Sequence, residues 1–266
     1  EFHDINDIWR SFEEAFGAIS GLVLYWRAWE AYLYRAFEEC IEDNISYIEF
    51  RGVLSSSTYM ISSLLKNIRD KDSQELQYMF VDEDKAWHYV NLVVKLKERF
   101  PKTIAGFDLV GQEDLGHPLM TFIDPILYLK NRDPPIPFFF HAGETNWKGM
   151  LTDGNLYDAL LLNTSRIGHG YAIVNHPELM NIARERDIAI EVCPISNQVL
   201  KLVEDLRNHP ASALAADSFP LVVSSDDPPM WESTLLSHDF YEFFMGIGGA
   251  SADLRFLKKL ALNSIR

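Results

Sequence analysis

The sequence predicts an α/β protein built on a mainly parallel sheet, either a doubly wound sheet or a (β/α)8 barrel. Strand-like runs alternate with helical stretches along most of the 266 residues. Most of these runs are continuously apolar, which is typical of strands buried on both faces of a parallel sheet. No Gly-x-Gly-x-x-Gly sequence follows an early strand, so a dinucleotide-binding sheet is not supported. There is no internal repeat or Pro/Gly linker, and we predict a single domain over residues 1–266.

The order of elements follows from hydrophobic periodicity. Apolar residues recur every three or four positions from 9 to 42, which predicts helix. Asn44 breaks this pattern, and the β-branched-rich run at 45–50 predicts the first strand. Residues 55–73 resemble a polar connection with a short helix. Further strands are predicted at 76–81, 104–110, 137–140, 166–168, 188–193 and 220–224, with helices between them at 85–100, 155–162, 178–185 and 198–206.

Composition narrows the classes of partner. Lys and Arg total 24 against 39 Asp and Glu, a net charge of −15, so general binding of nucleic acid is disfavoured. A small neutral or cationic ligand fits this charge better. No run approaches the roughly 18 consecutive apolar residues that a membrane span needs, and the acidic N-terminus does not resemble a signal peptide. Two cysteines provide no disulfide framework, which leaves the compartment open.

Polar residues that can bind metal or transfer protons close several of the apolar runs. In a barrel enzyme the active site lies where strands end and the following loops begin, so these residues are expected to meet. A glycine at one such end lets a ligand approach the backbone closely. The residues at these ends are Gly111, His141, Glu144, His169, Asp226 and Asp227.

This set suggests a metal-assisted hydrolase. Imidazole nitrogen and carboxylate oxygen are ordinary zinc ligands, and a glutamate close by can move a proton. Taken one at a time, each residue has a structural explanation. A histidine after a strand is more often a hydrogen-bonded structural residue, Asp226 and Asp227 can form a turn or cap, and Glu144 can be a first-turn acid. Because such residues recur at the ends of successive strands, a shared functional site explains them better than separate structural roles.

In these and neighbouring stretches the sequence resembles the adenosine deaminase family, and more closely its secreted growth factor branch. The resemblance runs through residues 104–266 and extends upstream to 42–51, and the combination of motifs is specific where any single motif is not. The matching stretches are HAGET (141–145), RIGHG (166–170), EVCPISNQVL (191–200), VVSSDDP (222–228), AGFDLVGQED (105–114), DFYEFFMGIGG (239–249), DLRFLKKLALNSI (253–265) and EDNISYIEFR (42–51).

The resemblance implies a metallo-dependent hydrolase (β/α)8 barrel that holds one zinc ion per subunit. It also implies hydrolytic removal of the 6-amino group of adenosine and 2′-deoxyadenosine, giving inosine-type products and ammonia. His141 and Asp226 would be zinc ligands. Glu144 would protonate the purine at N1, and His169 would position and polarise the attacking water.

Three residues would bind the substrate, a purine nucleoside. By the same resemblance, Asp227 would hydrogen-bond N7 and Gly111 would contact N3 through its backbone. Trp9, in a W-x-x-F-E context, would line the ribose side of the pocket. Its alternative is a core aromatic residue on an amphipathic helix.

The sequence departs from the family pattern in two places. The family carries a His-x-His pair at the end of its first strand, and no His-x-His occurs here. We therefore interpret the chain as lacking that strand, with a C-terminal helix cut short after Arg266. We expect the 266 residues alone to be inactive or unstable, since an open barrel exposes strand edges and an incomplete ligand set binds zinc weakly. The second departure is an acidic stretch at 82–84, where relatives carry a basic residue or histidine on the sugar side.

Two other functions stay open from the sequence. One is another purine amidohydrolase, acting for example on adenine or AMP, although no Arg/Lys cluster for a phosphate flanks the strand ends. The other is a non-catalytic signalling or binding protein. The branch resemblance implies a secreted glycoprotein that lowers extracellular adenosine and has a growth-factor role, and a full-length protein able to form homodimers. Sequons at Asn44 and Asn163 permit a secretory route.

Overall fold

The computed structural model describes residues 4–23, 25–52, 73–76, 83–250 and 252–265. The chain forms two compact units. The central unit is Tyr47–Ile190, and the terminal unit combines Glu1–Ser46 with Glu191–Arg266. Among the described residues, no helix combines the length and apolar character that crossing a bilayer requires.

The central unit contains five parallel strands among its described residues, in two groups. β1 (Glu49–Gly52), β2 (Ser73–Leu76) and β3 (Ile104–Phe107) form one sheet in that order. β4 (His141–Ala142) pairs with β5 (Arg166–His169) so that His141 lies opposite Gly168 and Ala142 opposite His169. Parallel neighbours require crossover connections, and helices supply most of them here.

Four helices of the central unit cover its strands. Helix α3 (Glu83–Arg99) packs against β3 and helix α4 (Ile123–Lys130), and it buries Val90 and Val93 on one face. Their spacing is that of an amphipathic helix. β3 contributes Ile104 and Phe107, both completely buried, to the same core. The helices are α3 (Glu83–Arg99), α4 (Ile123–Lys130), α5 (Asn155–Leu161) and α6 (Pro177–Glu185), with short 3₁₀ turns at Leu119–Phe122, Leu151–Gly154 and Tyr171–Asn175.

The terminal unit begins with two packed helices, α1 (Ile5–Val23) and α2 (Trp26–Glu42). The chain enters its second segment within β6 (Ala189–Val192), whose end lies beside β7 (Leu221–Val223), because the Ser224 amide donates to the Val192 carbonyl at 2.9 Å. The remaining elements are α7 (Pro194–Val199), α8 (Ala211–Ala216), α9 (Ser237–Glu242) with a π-helical turn at Phe243–Ile247, α10 (Leu254–Asn263), and 3₁₀ turns at Leu206–Asn208 and Pro228–Met230.

The predicted element order is largely confirmed, with two differences in the helices. The stretch 9–42, predicted as helical, is divided into two helices: α1 ends at Val23, two residues after Gly21, and α2 begins at Trp26. The helix predicted at 198–206 is wrong: α7 ends at Val199. Pro194 suits the first helical position, and Lys201 takes a left-handed φ of 63°, which helix does not continue through.

Strand bounds also differ from the prediction. The run at 137–140 pairs with β3 through a bridge between Phe138 and Phe107, and the β4–β5 ladder begins only at His141. The predicted strand at 104–110 ends at Phe107. In the region of the strand predicted at 76–81, β2 covers Ser73–Leu76, and 77–82 lie outside the described residues, as does most of the connection at 55–73.

Candidate active site

The imidazole of His141 is held by a buried carboxylate from the loop that follows β3. His141 opens β4, and Asp108 is the first residue after β3. Asp108 accepts the His141 backbone N–H at 2.9 Å through Oδ1. Its Oδ2 lies 2.7 Å from His141 Nδ1. With Nδ1 donating to the carboxylate, Nε2 is the nitrogen that carries the lone pair, which is the arrangement of a metal-binding histidine.

Asp108 is also paired with a cation. The Nε of Arg51, in β1, lies 2.9 Å from Asp108 Oδ2, and the Asp108 side chain is fully buried. A buried carboxylate is tolerated where charge and hydrogen bonds compensate its lost solvation, and here Arg51, His141 and the Leu109 amide do so. Asp108 was not among the predicted site residues. Its signal was that of the other candidates, an acid directly after an apolar strand.

His169 lies beside His141 because of the β4–β5 register. Their ring centroids are 5.0 Å apart, and each can present a ring nitrogen within 4.8 Å of the other. Gly168 makes room for this approach, since a Cβ there would lie 3.2 Å from the His141 ring. His169 has a φ of +59°, a strained conformation for a residue with a side chain, of the kind that is concentrated at functional sites.

Glu144 completes the group in the central unit. Its Oε1 lies 3.4 Å from His169 Nδ1, and both side chains are almost completely buried. Gly143, with a φ of +75°, makes the turn that separates His141 from Glu144. The structure therefore brings together the two imidazoles and the glutamate that the sequence analysis selected. A carboxyl group next to an imidazole in a buried site can exchange protons with a bound molecule.

A second buried acid, Glu113, supports the loop that carries Glu144. Its carboxylate accepts N–H groups from Gly143 at 3.1 Å, Glu144 at 2.8 Å and the Asn155 side chain at 3.1 Å. Burial raises the pKa of Glu113, and these three hydrogen bonds oppose the rise. Glu113 was not predicted as a site residue, because its partners lie 30 to 42 residues away and leave no local pattern.

Gly111 lies in a pocket that also contains His141. The pocket is bordered by the loop after β3 and by Leu119 and Asn155. Gly111 has a φ of +152°, and no heavy atom lies within 4 Å of the position that a Cβ would take. A ligand can therefore approach the Cα of Gly111 closely on this side. Its contact with N3 of a purine stays a prediction.

In the terminal unit, Asp226 and Asp227 follow β7. Asp226 has a left-handed φ of +56°. Burial, and then the charges of Asp226 and Glu242, raise the pKa of nearby Asp239 to about 7, while a hydrogen bond from the Ile195 amide opposes the rise. Burial and then the charge of Asp227 raise the pKa of Tyr32. The acids after β7 thus form a concentrated negative region in this unit.

Trp9 is also in the terminal unit, as part of an apolar cluster. It is buried with Ile8 and Leu200, and its ring meets Phe12 edge-to-face at 5.5 Å. This is the packing that a core aromatic on an amphipathic helix would show. Its role at the ribose stays a prediction.

The donor set of the central unit suits a divalent metal. Two neighbouring imidazoles, one of them oriented through Nδ1 by a carboxylate, are the ligands and the supporting hydrogen bond that zinc sites use.

Comparison with known proteins places these residues in a family context. Residues 73–266 match the family described as Adenosine deaminase. Adenosine deaminase 2-A of Danio rerio is 46% identical over 98% of this chain, and Adenosine deaminase 2 of Homo sapiens is 44% identical over 98%. The chain spans only 56% and 55% of those relatives.

Solved structures agree on the fold. An adenine deaminase from Arthrobacter aurescens superposes with a TM-score of 0.77 at 20% identity, covering 100% of this chain and 84% of that one. An amidohydrolase from Burkhoderia ambifaria with bound Zn gives a TM-score of 0.70 at 22% identity, over 90% and 66% of the two chains. These likenesses and the family match confirm the predicted fold class, the metallo-dependent hydrolase TIM barrel.

Proposed function

The chain belongs to the adenosine deaminase family, and from that premise we propose that the whole protein hydrolyses adenosine and 2′-deoxyadenosine, releasing ammonia from C6. The observation that carries this proposal is the buried group of His141, His169 and Glu144, with Asp108 behind the His141 ring. A proton donor beside a metal-binding imidazole is what hydrolysis of an aromatic amine needs.

We propose one zinc ion per subunit, with His141 Nε2 and Asp226 among its ligands. Zinc supplies a Lewis acid that makes water a nucleophile at neutral pH. The Asp108–His141 hydrogen bond supports this assignment, because it fixes the imidazole tautomer in which Nε2 is the ligand atom. Asp226 is proposed because a carboxylate oxygen is an ordinary zinc ligand and because it comes after an apolar run of the sequence, as both histidines do.

Glu144 and His169 are proposed to handle the protons. Glu144, as a carboxylic acid, gives its proton to N1 of the purine, which makes C6 more electrophilic. His169, 3.4 Å away, positions the attacking water and polarises it by accepting a hydrogen bond from it. Their burial favours this exchange, since charge–dipole interactions are stronger where bulk water is excluded.

Substrate binding is proposed to use Asp227 at N7, the Gly111 backbone at N3 and Trp9 at the ribose. The open space around Gly111 supports its part in this set. We also propose that the full-length protein is a secreted glycoprotein that lowers extracellular adenosine, has a growth-factor role and forms homodimers. The resemblance to the growth factor branch supports this role, and the exposure of Asn44 and Asn163 allows both sequons to be modified.

The test is deamination by the full-length protein, followed by the ultraviolet change as adenosine becomes inosine, with and without a zinc chelator. We expect turnover that the chelator abolishes. Glu144→Gln should lower kcat by about 10²- to 10⁴-fold, the usual contribution of a general acid, with zinc content unchanged. Glu98→Gln is the matched control, because Glu98 is exposed and pairs with Arg132. Unaltered turnover in Glu144→Gln would remove that residue from the proposed role.

A further inference from the structure

Glu113 makes an unusual set of contacts for a loop acid. It lies in the loop after β3, yet its carboxylate is buried and both of its oxygens accept hydrogen bonds. Oε1 accepts the Glu144 amide, and Oε2 accepts both the Gly143 amide and the Asn155 side chain. Asn155 in turn accepts the Leu119 amide at 2.9 Å through its own oxygen.

These contacts fix the turn between His141 and Glu144. Gly143 is held through its amide by Glu113 and through its carbonyl, which accepts the Ala172 amide at 2.9 Å. A Cβ on Gly143 would lie 2.9 Å from Leu156, so the turn is also closely packed. The neighbouring Asp114 adds a hydrogen bond from the Thr145 hydroxyl. The loop after β3 therefore holds three consecutive residues of the loop after β4.

Only a carboxylate satisfies all of these donors. Three N–H groups point at the Glu113 side chain, and a carboxylate has acceptor sites on both oxygens and no hydrogen to place against them. A glutamine would present an NH₂ group to at least one backbone amide. Burial of a charged group is costly, so a position occupied only for packing would favour a neutral side chain.

We propose that Glu113 is a positioning residue for the acid Glu144, which it holds in place beside His169, 3.4 Å away. This inference rests on the proposed function, because the acid role of Glu144 belongs to it. Displacement of a reacting group by about 1 Å can cost about 100-fold in rate, and Glu113 opposes such a displacement through the Gly143 and Glu144 amides.

The first test is Glu113→Gln in the full-length, zinc-loaded protein. We expect kcat to fall by about 10- to 100-fold, as for a misplaced reacting group, while KM for adenosine and zinc content stay close to those of the unaltered protein. Glu98→Gln, the same chemical change at an exposed glutamate, should leave kcat unaltered.

The second test is rescue. In Glu113→Gln combined with Asn155→Asp, the amide at 113 donates to the carboxylate at 155 and its oxygen again accepts the Glu144 amide. We expect the pair to recover part of the kcat lost in Glu113→Gln. Asn155→Asp alone should lower kcat, because it places two carboxylates together. Such non-additivity is the signature of directly coupled residues.

The outcomes separate the two hypotheses. No turnover of purine nucleosides by the unaltered protein would overturn the proposed function. A different result would overturn the positioning role alone: the unaltered protein turns over purine nucleosides, and Glu113→Gln has the same kcat per folded, zinc-loaded molecule. Glu113 would then have only a structural role. If Glu113→Gln does not fold, Glu113→Asp decides: it keeps the carboxylate but withdraws it by one methylene from the Gly143 and Glu144 amides, so a lowered kcat at constant KM supports positioning and an unchanged kcat refutes it.

Discussion

At the scale of single residues, Asp108 does two things at once. It orients the His141 ring and it neutralises Arg51, all within a buried site. A carboxylate that accepts from a ligating imidazole makes the imidazole a better metal ligand and holds its plane. The effect of Asp108 should therefore appear in metal affinity before it appears in substrate binding.

We predict that Asp108→Asn weakens zinc binding by about 10- to 100-fold, the usual cost of losing such a supporting hydrogen bond. The measurement is competition for zinc against a chromophoric chelator, with circular dichroism to establish that the variant is folded. Glu98→Gln provides the control, as an acid of the same unit whose partner is Arg132. An unchanged zinc affinity in folded Asp108→Asn would contradict the proposed ligand role of His141.

Sequence reasoning found His141, Glu144 and His169 because each follows an apolar run, and parallel strands bring such positions to one edge. Asp108 was missed for a definite reason. The predicted strand continued to residue 110, which placed Asp108 inside it, whereas β3 ends at Phe107 and makes Asp108 the first residue of the loop. Glu113 could not be found in this way, since backbone amides distant in sequence are its partners.

At the scale of elements, the close approach of β3 to the segment before β4 depends on Gly106. The Phe107 amide donates to the Pro137 carbonyl at 2.9 Å, and the Phe139 amide donates to the Phe107 carbonyl at 3.1 Å. A Cβ on Gly106 would overlap the Pro137 oxygen and lie 2.5 Å from a carbon of the Phe139 ring. Glycine is required here by space, in the middle of a strand where it is otherwise unfavourable.

We predict that Gly106→Ala lowers the free energy of unfolding by about 1–3 kcal/mol, the usual effect of overpacking. Gly17→Ala is the matched change in the middle of α1, where nothing lies within 4 Å of the new methyl group. It should stabilise by about 0.5–1 kcal/mol, because alanine is the better helix former. Urea unfolding followed by circular dichroism measures both. Equal effects of the two substitutions would show that the contacts of Gly106 are relaxed at little cost.

Element order was predictable and element ends were not. Apolar periodicity indicates which face or run is buried, and the predicted runs overlap six of the seven strands in the described part of the chain. The overlap with β2 is Leu76 alone, and β4 begins directly after the run predicted at 137–140. Ends depend on individual backbone conformations, such as the left-handed Lys201 that follows α7. The apolar pattern continues through residues 22–25, so periodicity predicted helix over 9–42 without marking the division between α1 and α2.

At the scale of the whole molecule, the net charge of −15 should govern which substrates approach easily. An excess of acids repels a phosphate dianion, and the repulsion extends over about one Debye length, about 10 Å at 0.1 M salt. A neutral nucleoside does not experience this barrier. The charge of the chain therefore bears on substrate choice, through association rates more than through contacts.

We predict a lower kcat/KM for AMP than for adenosine, and a difference that narrows as sodium chloride is raised from about 0.01 M to about 0.3 M, where screening is strong. Deamination of both compounds, followed by ultraviolet absorbance, gives the two constants. 2′-Deoxyadenosine is the control, since it carries no phosphate and its kcat/KM should be nearly independent of salt. A difference that salt leaves untouched would assign the discrimination to local contacts in the pocket.

The hydrogen bonds that Glu113 and Asp114 accept from residues 143–145 also affect attempts to redesign this protein. A grafted HAGET segment would arrive in a foreign scaffold without the acceptors for its backbone amides. Directed evolution that diversifies one of these two loops while freezing the other would meet the same obstacle. The smallest unit that can be grafted is thus the pair of loops after β3 and β4, transferred together.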